Sequence, residues 1–430
     1  MKISTAITAV LAVLATPALA QESVPEVVQA VDSGNTAWLL VCSALVMLMT
    51  PGLAFFYAGM VDRKNVVSTL LQNFVALAVV GLLWVSVGYS LAFGEGNAFI
   101  GDMSFFMLDG LIGQVYGDAK VPHYAFMAFQ MMFACIAPAL ITGAIAERVH
   151  FKAWMLLLAL WSLFVYVPIA HWVWGGGFLA TWGVLDFAGG TVVHLNAGIA
   201  GLVCALVLGK RVGYGQENMA PHNLLYALIG ASLLWVGWFG FNAGSAVAAN
   251  ELAGIAMANT QIASAAAALS WMFVEWVFQK KPSVLGMLSG AVAGLVAITP
   301  AAGFVDPSGS LYIGLIAGGV CYMGAVWLKH AVGYDDSLDA FGVHGIGGAA
   351  GALLTGVFAL SSINPLGKGA IDGNPGQILA QLEGILVAGI YCAVVTFAIL
   401  MAIRQTIGLR VTKDEEMEGL DLTQHGERIH

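Results

Sequence analysis

Two histidines of this chain lie inside long apolar stretches, where ionisable side chains are rare. His344 occupies the segment FGVHGIGGAAG (341–351), and His194 occupies the segment VVHLNAGIAG (192–201). A charged group inside a membrane costs about 2.5–3.5 kcal/mol on insertion scales, so ionisable residues retained there usually serve a function. Imidazole can stay neutral and still both donate and accept a hydrogen bond. These residue types therefore suggest hydrogen bonding or proton transfer along an apolar path.

Both histidines belong to a pattern that the chain contains twice. One copy runs from Asp186 to His194 and the other from Asp336 to His344, and each reads D-x7-H-x3-G-x2-G. Glycines at this density would let neighbouring helices pack closely around the pair. Each aspartate precedes its histidine by about two helical turns, where a carboxylate would cap free amides. For Asp186, which faces the outer side, an electrostatic role toward a cation is equally open.

A second motif, G-x3-F-x-A-G, covers residues 52–59 and again residues 237–244. The two kinds of match occur in the same order, five apolar segments apart. Because five is odd, the second half of the chain would be inserted upside down relative to the first, as in many transporters whose functional path lies between inverted halves. We therefore expect a two-fold axis in the membrane plane to bring His194 and His344 together near mid-depth.

The sequence leaves more than one role open for this pair. Two neutral imidazoles can share one hydrogen and present their other faces to a pore, or each can bond a backbone carbonyl and serve only helix packing. A metal site has less support. Glu147 and His150, and likewise Glu427 and His430, have ExxH spacing, but no third or fourth ligand stands beside either pair. We expect no metal and no cofactor.

Aromatic residues near the ends of the apolar segments also permit two interpretations. Trp172 and Trp174, in AHWVWGGG, fit an interfacial aromatic belt or a cation–π site. Phe129 and Phe133, spaced i and i+4 in AFMAFQMMFA, fit ordinary helix packing or a gate. The segment GWFGFNAGS adds three residues at the outer end of its helix, namely Phe241, Asn242 and Ser245.

The composition predicts the elements that must position these residues. Of 430 residues, 59% are hydrophobic and 10% are charged, against about 25% charged residues in soluble proteins. The expected fold class is an all-α polytopic membrane protein. Eleven apolar segments are long enough to span a bilayer at about 20 residues each. They cover residues 36–60, 66–93, 122–146, 151–171, 190–209, 222–244, 252–278, 283–301, 310–329, 341–361 and 377–403.

The distribution of basic residues supports this count. Nine of the sixteen Lys and Arg residues lie in alternate loops and four lie in the C-terminal tail, whereas the opposite loops hold two. Because basic residues mark the cytoplasmic side, we expect the mature N-terminus outside and the tail inside a bacterial inner membrane. The net charge of −9, without a basic patch, argues against nucleic acid as a partner.

The chain is expected to contain a targeting segment, a membrane domain and a tail. Residues 1–20 have a charged start, an apolar core and an A-x-A site, as in a cleaved signal peptide, with a short first membrane helix as the alternative. The five cysteines lie in apolar segments without a CxxC pair and are expected to be core residues. The expected regions are a membrane domain over 21–404, with repeats at about 36–209 and 222–361 and an unpaired peripheral helix at about 377–403, and a polar tail over 405–430 that is either disordered or docked.

Several segments together resemble the Amt/Rhesus ammonium transporters. DFAGGTVVHLNAGIAGLVCALVLGKR (186–211) resembles the signature of that family. The segments YSLAFGEGN, IAHWVWGGG, GWFGFNAGS, FGVHG and EGLDLTQHGE resemble its bacterial Amt branch in the same order. The resemblance covers nearly the whole chain after residue 20. It implies a membrane protein that transports ammonium rather than an enzyme, and it favours a tail that docks on the inner face and couples subunits.

The resemblance also implies a role for each candidate residue. The outer recruitment site for ammonium would be formed by Trp174, Ser245, Phe129, Phe133 and Asp186. A gate would be formed by the stacked rings of Phe133 and Phe241. The pore that conducts ammonia, and the proton separately, would be lined by His194 and His344.

The implied partners follow from the same resemblance. They are ammonium or ammonia, methylammonium as an analogue, two further copies of the chain in a homotrimer, the lipid bilayer and a PII-type nitrogen-signalling protein at the cytoplasmic face. Two alternatives belong to other functional classes. An ammonium sensor would usually carry a fused signalling domain, for which the roughly 27 residues after the last predicted span leave no room. A neutral ammonia or gas channel would not need the recruitment residues Trp174 and Ser245.

Overall fold

The computed structural model describes residues 30–429. The predicted signal peptide, residues 1–20, and His430 lie outside the described residues. Within these bounds the chain is an all-α membrane protein, as its composition predicts, and its strands are one short antiparallel pair, β1 (Val115–Tyr116) and β2 (Val121–Pro122). All five cysteines are buried and free, in agreement with their expected place in the core.

Ten helices in the described part are long and apolar enough to cross a membrane, and one shorter apolar helix accompanies them. In chain order they are α1 (Ser33–Met60), α2 (Arg63–Phe93), α3 (His123–Ile145), α4 (Phe151–Thr181), α5 (Gly190–Leu208), α6 (Leu224–Gly244), α7 (Glu251–Gln279), α8 (Val284–Ile298), α9 (Pro307–Val332), α10 (Phe341–Phe358) and α11 (Gly376–Thr406).

The observed bounds agree with the predicted spans to within a few residues at most ends. The largest difference is in α4, which extends to Thr181 instead of the predicted end at residue 171. The helix α8 is shorter than predicted. It has 15 residues instead of the predicted segment 283–301. The helix closes in a tight turn just before Pro300, in which the Thr299 amide donates to the Val296 carbonyl at 3.2 Å. Since a bilayer requires about 20 residues of straight helix, the count of eleven spans stays a prediction.

Both histidines lie in π-helical turns, where the helix is wider than an α-helix. The turn at the start of α5 is Gly190–Leu195, and the turn at the start of α10 is Phe341–Gly345. The preceding helix of each half also contains such a turn, Ser162–Tyr166 in α4 and Met323–Leu328 in α9. π-Turns inside helices occur frequently at functional sites, and here they recur in equivalent helices of the two halves.

Repeat glycines bring the two histidine helices into backbone contact. A Cβ atom added to Gly198 would lie 2.1 Å from the backbone nitrogen of Gly345, and one added to Gly348 would lie 2.7 Å from that of Leu195. Leu195 and Gly345 directly follow the two histidines. This reciprocal contact between α5 and α10 is the arrangement that inverted two-fold symmetry predicts.

The other repeat glycines pack in equivalent ways. A Cβ atom on Gly201 would lie 3.1 Å from Ala144 in α3, and one on Gly351 would lie 2.2 Å from the carbonyl of Ala297 in α8. The glycines at positions 52 and 237 likewise let α1 and α6 approach each other. A Cβ atom added at position 52 would lie 2.9 Å from the facing helix, and one added at position 237 would lie 2.3 Å from it. Small residues at these contacts permit helix spacing that larger side chains would prevent.

The tail docks on one end of the bundle, which we call the tail face, and includes the short helix α12 (Lys413–Glu418). The backbone amide of Leu420 donates to Asn65 Oδ1 at 2.8 Å, and that of Ser68 donates to Asp421 Oδ1 at 2.8 Å. A capping box at Thr412 begins α12. Of the two expectations for the tail, the described residues therefore show the docked one.

A buried charge network ties the tail face together. Arg211 donates two hydrogen bonds of 2.9 Å to the Asp335 carboxylate and one of 2.7 Å to Glu147. Burial alone would raise the pKa of Asp335, but the bonds from Arg211 and the charge of Arg148 hold it below its usual range. The backbone amide next to Arg211 donates to Glu416 of the tail at 2.7 Å, so the network connects three loops and the tail.

Substitution of one repeat glycine tests whether backbone contact between α5 and α10 stabilises the fold. Gly198→Ala should lower the free energy of unfolding by about 1–3 kcal/mol, because the new methyl group meets backbone rather than a movable side chain. Thermal unfolding of the detergent-solubilised protein measures the change. Gly389→Ala in α11 is the matched control, since a Cβ atom there meets nothing within 4 Å. Equal unfolding temperatures for the two variants would contradict the assignment.

Candidate functional site

The two histidines of the repeated pattern are in direct contact. Their Nδ1 atoms lie 3.3 Å apart, and their rings are 5.4 Å apart between centroids with planes at 22°. Both residues are almost fully buried. One neutral imidazole donates this hydrogen bond and the other accepts it. Within residues 30–429 neither ring bonds a backbone carbonyl, which favours the shared-hydrogen arrangement over the packing role.

The second ring nitrogen of His194, which does not face His344, has no hydrogen-bond partner among the described residues. This atom, Nε2, is buried. The ring stacks on Trp238, with centroids 5.1 Å apart and planes at 20°, and lies 5.7 Å from Phe241. A buried polar atom without a partner is costly. An atom of this kind, set among aromatic rings, is suited to a transient partner that passes through the site.

Next to His194, on the side away from the tail face, lies a stack of phenylalanine rings. The centroids of Phe133 and Phe241 are 4.2 Å apart with planes at 28°. Phe129 meets Phe133 edge-on at 4.8 Å, and Trp174 meets Phe133 edge-on at 5.9 Å. The sequence could not separate packing from gating for these rings. In the structure these rings form one continuous row, which runs from Trp174 through the stacked rings of Phe133 and Phe241 to the two histidines. We call this row the file.

Trp174 is held at the outer end of this file by Asp186. The indole Nε1 donates to the Asp186 backbone carbonyl at 2.8 Å. The indole lies partly exposed at the end of the aromatic file. This hydrogen bond fixes the position of the indole ring, and the face of a tryptophan ring attracts cations.

The two aspartates of the repeated pattern both act as helix caps. The Asp186 carboxylate accepts four backbone hydrogen bonds of 2.6–3.0 Å from residues 189–192. The Asp336 carboxylate accepts two, from Ala340 and Phe341, at 3.1 Å and 2.7 Å. Burial raises the pKa of Asp186 above its usual range although its four amide bonds oppose this. Burial and then the Asp339 charge raise the pKa of Asp336 to about 6.

Ser245 follows the end of α6, one turn beyond Phe241. Its hydroxyl donates to the Phe241 carbonyl at 2.8 Å, which leaves the oxygen lone pairs available as acceptors. A Cβ atom on the preceding residue, Gly244, would lie 2.8 Å from the ring of Phe129. Glycine at this position therefore allows Phe129 to approach the end of α6. Ser245 and the aromatic rings thus border the same end of the file.

The face of the His194 ring stacks on Trp238, a residue that the sequence pattern did not single out. Its indole nitrogen donates to Thr299 Oγ1 at 2.9 Å, and that hydroxyl donates to the Leu295 carbonyl at 2.7 Å. The indole is therefore anchored to the end of α8 while it stacks on the imidazole. The available signal was its i, i+3 spacing from Phe241 in GWFGF, which sets both rings on one helix face.

Some singled-out residues lie apart from this file. The Trp172 indole donates to the Phe99 carbonyl at 2.8 Å and contacts Tyr391. Asn242 donates to Thr260 at 2.9 Å and joins α6 to α7. The ExxH residue Glu147 is engaged by an arginine. Within residues 30–429 no group of three His, Cys, Asp or Glu side chains is arranged to hold a metal ion.

Comparison with known proteins agrees with this architecture. A family model described as Ammonium Transporter Family matches residues 37–429. The chain is similar to the ammonium transporter of Aquifex aeolicus, with 51% identity over 401 residues that cover 93% of this chain and 94% of the relative. It is also similar to the crystal structure of Saccharomyces cerevisiae Mep2, at 38% identity and a TM-score of 0.85, covering 90% and 89% of the two chains. A structure described as a sensor Amt protein matches at 31% identity and a TM-score of 0.85, covering 91% of this chain and 98% of that one.

The anchoring of Trp238 can be tested by a double-mutant cycle. Thr299→Val should destabilise the protein by about 1–3 kcal/mol, because it leaves the buried indole N–H without an acceptor. The same substitution made in a Trp238→Phe background should cost much less, since the phenyl ring has no donor. Thermal unfolding of the four proteins in detergent gives the free energy of interaction between Trp238 and Thr299. Equal costs in both backgrounds would show that the hydrogen bond does not support the indole.

Proposed function

The chain belongs to the ammonium transporter family, and from this premise we propose how it moves its substrate. Ammonium ion is recruited at the face opposite the tail and loses a proton beside the stacked rings of Phe133 and Phe241. It then crosses as ammonia past His194 and His344, while the proton follows separately. The observation that carries the proposal is the contact of the two imidazoles beneath the aromatic stack.

The need for deprotonation follows from the apolar path. Transfer of an ion into a low-dielectric interior is costly, and buried ionisable groups tend to become neutral instead. Ammonium resembles the lysine head group, whose reference pKa is about 10.4, and burial lowers the pKa of such a group by several units. Sodium and potassium have no proton to lose and are excluded. Water lacks the charge that favours recruitment.

The outer vestibule would select the cation before it is neutralised. Trp174 presents an aromatic surface held by Asp186, and Ser245 offers hydroxyl lone pairs near the same end of α6. Ammonium is attracted to aromatic faces and donates hydrogen bonds, so both groups suit it. The rings of Phe129 and Phe133 complete the wall, and the stacked gate limits passage to small species.

The histidine pair would carry the proton. The shared hydrogen between the Nδ1 atoms links the two rings, and the unpaired Nε2 atom of His194 faces the aromatic file. An imidazole can accept a proton at one nitrogen while it releases one from the other. Movement of ammonia together with a separate proton carries net charge, so the proposed transport is electrogenic.

Two alternative functions would give different results. The similarity to a structure described as a sensor Amt protein keeps signalling open. A sensor would report ammonium through a partner without needing flux through the file. A neutral ammonia or gas channel would conduct without current.

We also propose the setting in which the transporter works. The basic loops and the docked tail support a cytoplasmic tail face, with the mature N-terminus outside the inner membrane. A homotrimer, a PII-type protein at the tail face, methylammonium as an analogue and a cleaved signal peptide follow from the family resemblance. The mass of the detergent-solubilised particle tests the trimer, and capture of the host's PII-type protein at low and high ATP tests the partner.

Removal of either histidine should abolish coupled transport. His194→Ala and His344→Ala each break the hydrogen-bonded pair, so an ammonium jump applied to reconstituted liposomes should produce no current above protein-free liposomes. His222→Ala is the matched control, because that imidazole bonds the Val61 carbonyl at the tail face, away from the file. Undiminished current in the two pore variants, with potassium still excluded, would refute the histidine role.

The wild-type protein in the same assay tests the function itself. Current and ammonium uptake should both appear at concentrations that work for a positive control. Uptake without current would support the neutral channel. The absence of both current and uptake would refute transport, and the sensor would remain as the function.

A tryptophan pair tests the recruitment site. Trp174→Leu should raise the half-saturating ammonium concentration by about two- to thirtyfold, the range expected when a cation–π contact is lost. Trp172→Leu should leave it unchanged, since that indole is bonded to the Phe99 carbonyl outside the file. Current measured over a range of ammonium concentrations gives both values. If the two variants shift equally, Trp174 has no special part in recruitment.

A further inference from the structure

Two cavities continue the file from His344 toward the tail face. The smaller one, of about 30 Å³, is lined by His344 and by groups that include Tyr57 and Ser289. The larger one, of about 310 Å³, is lined by tail-face residues that include Arg211 and Tyr214. The residues that line both cavities mark the boundary between them, and they are Met60, Leu285, Leu338 and Asp339. We call this boundary the inner mouth.

Asp339 is the polar member of the inner mouth. Its carboxylate forms an ion pair with the ammonium group of Lys329, which lines the larger cavity. The same ammonium group lies 3.5 Å from the carbonyl of Asp336. Lys329 belongs to α9 and Asp339 precedes α10, so the pair joins these two consecutive helices on the large-cavity side of the mouth. The neighbouring Arg211 does not compete for Asp339, because it is held by Asp335 and Glu147.

The repeat shows that the fold does not require a carboxylate at this position. Asp339 stands three residues after Asp336, and the equivalent position after Asp186 is Gly189. Both adopt left-handed backbone angles, with φ of 113° at Gly189 and 60° at Asp339. Glycine adopts this conformation at no steric cost, whereas a residue with a Cβ atom does so rarely. The second half therefore keeps a side chain where the first half has none.

We propose that the Asp339–Lys329 ion pair is a latch at the inner mouth, which must part before substrate passes between the small cavity and the tail face. The inference deepens the proposed function, on which it rests, by naming the contact that limits exit. Side-chain exposure is 16% for Lys329 and 36% for Asp339. Because both side chains are partly exposed, water can solvate each charge when the pair separates, which is not possible for a fully buried pair. The latch would hold the mouth closed without locking it.

Neutralising either partner should open the latch. Lys329→Gln and Asp339→Asn should each raise the ammonium-evoked current in liposomes, by up to about fivefold, which is the range for loss of a partly exposed ion pair. Asparagine is chosen because it tolerates positive φ. The current of the double variant should be no higher than that of either single variant, because each single substitution already removes the same contact. Lys281→Gln, an exposed lysine outside the mouth, should leave the current unchanged.

The direction of these changes separates a latch from simple electrostatics. If each charge acted alone on a passing cation, loss of the lysine and loss of the aspartate would shift the current in opposite directions. Opposite shifts, or no shift in either variant, would overturn the latch.

Access to the small cavity provides a readout that does not depend on transport. Ser289→Cys introduces a thiol that lines this cavity, and the five native cysteines are buried. A small cationic methanethiosulfonate reagent applied at the tail face should modify this thiol faster in the Lys329→Gln and Asp339→Asn backgrounds than in the Lys281→Gln background. Equal rates in all three would overturn the latch. Faster modification in a protein that gives no ammonium current would support the latch while refuting the proposed transport.

Discussion

The free-energy cost of placing a charge in an apolar interior explains where the charged and polar groups of this protein lie. The file begins at the partly exposed Trp174, and its rings from Phe133 to His344 are buried, so an ion that entered it intact would lose its hydration without replacement. The polar groups left inside are two imidazoles that remain useful when neutral. Ion pairs are found instead toward the tail face, where charges can be compensated.

Close backbone packing makes this arrangement possible. The repeat glycines remove side chains where α5 meets α10, so the segments that carry the histidines touch directly. The π-turns widen both helices at the same place and alter the direction in which the imidazoles project. Four backbone amides that would otherwise be unsatisfied at the start of α5 are satisfied by Asp186. Packing, capping and orientation of the pair thus depend on one another.

The two halves share a framework but differ where the two ends of the path need different properties. The first half has Gly189 next to the aromatic vestibule, whereas the second half has Asp339 at the inner mouth. The aromatic file lies on one side of the histidines, and the charge network and docked tail lie on the other. Inverted symmetry accounts for the meeting of the histidines, and departures from it give the two sides of the pair different surroundings.

The sequence alone predicts the all-α membrane class, most helix bounds, the inverted repeat and the approach of His194 to His344, because these follow from hydrophobic length and from repeated spacing. It also supplied Phe133, Phe241 and Trp174 as candidates. Other features become visible in the folded chain: these rings form one file, Trp238 supports His194, the tail is docked and Asp339 meets Lys329. These contacts join residues far apart in the chain, and their geometry depends on how helices cross and where π-turns rotate side chains, which spacing along a single sequence does not specify.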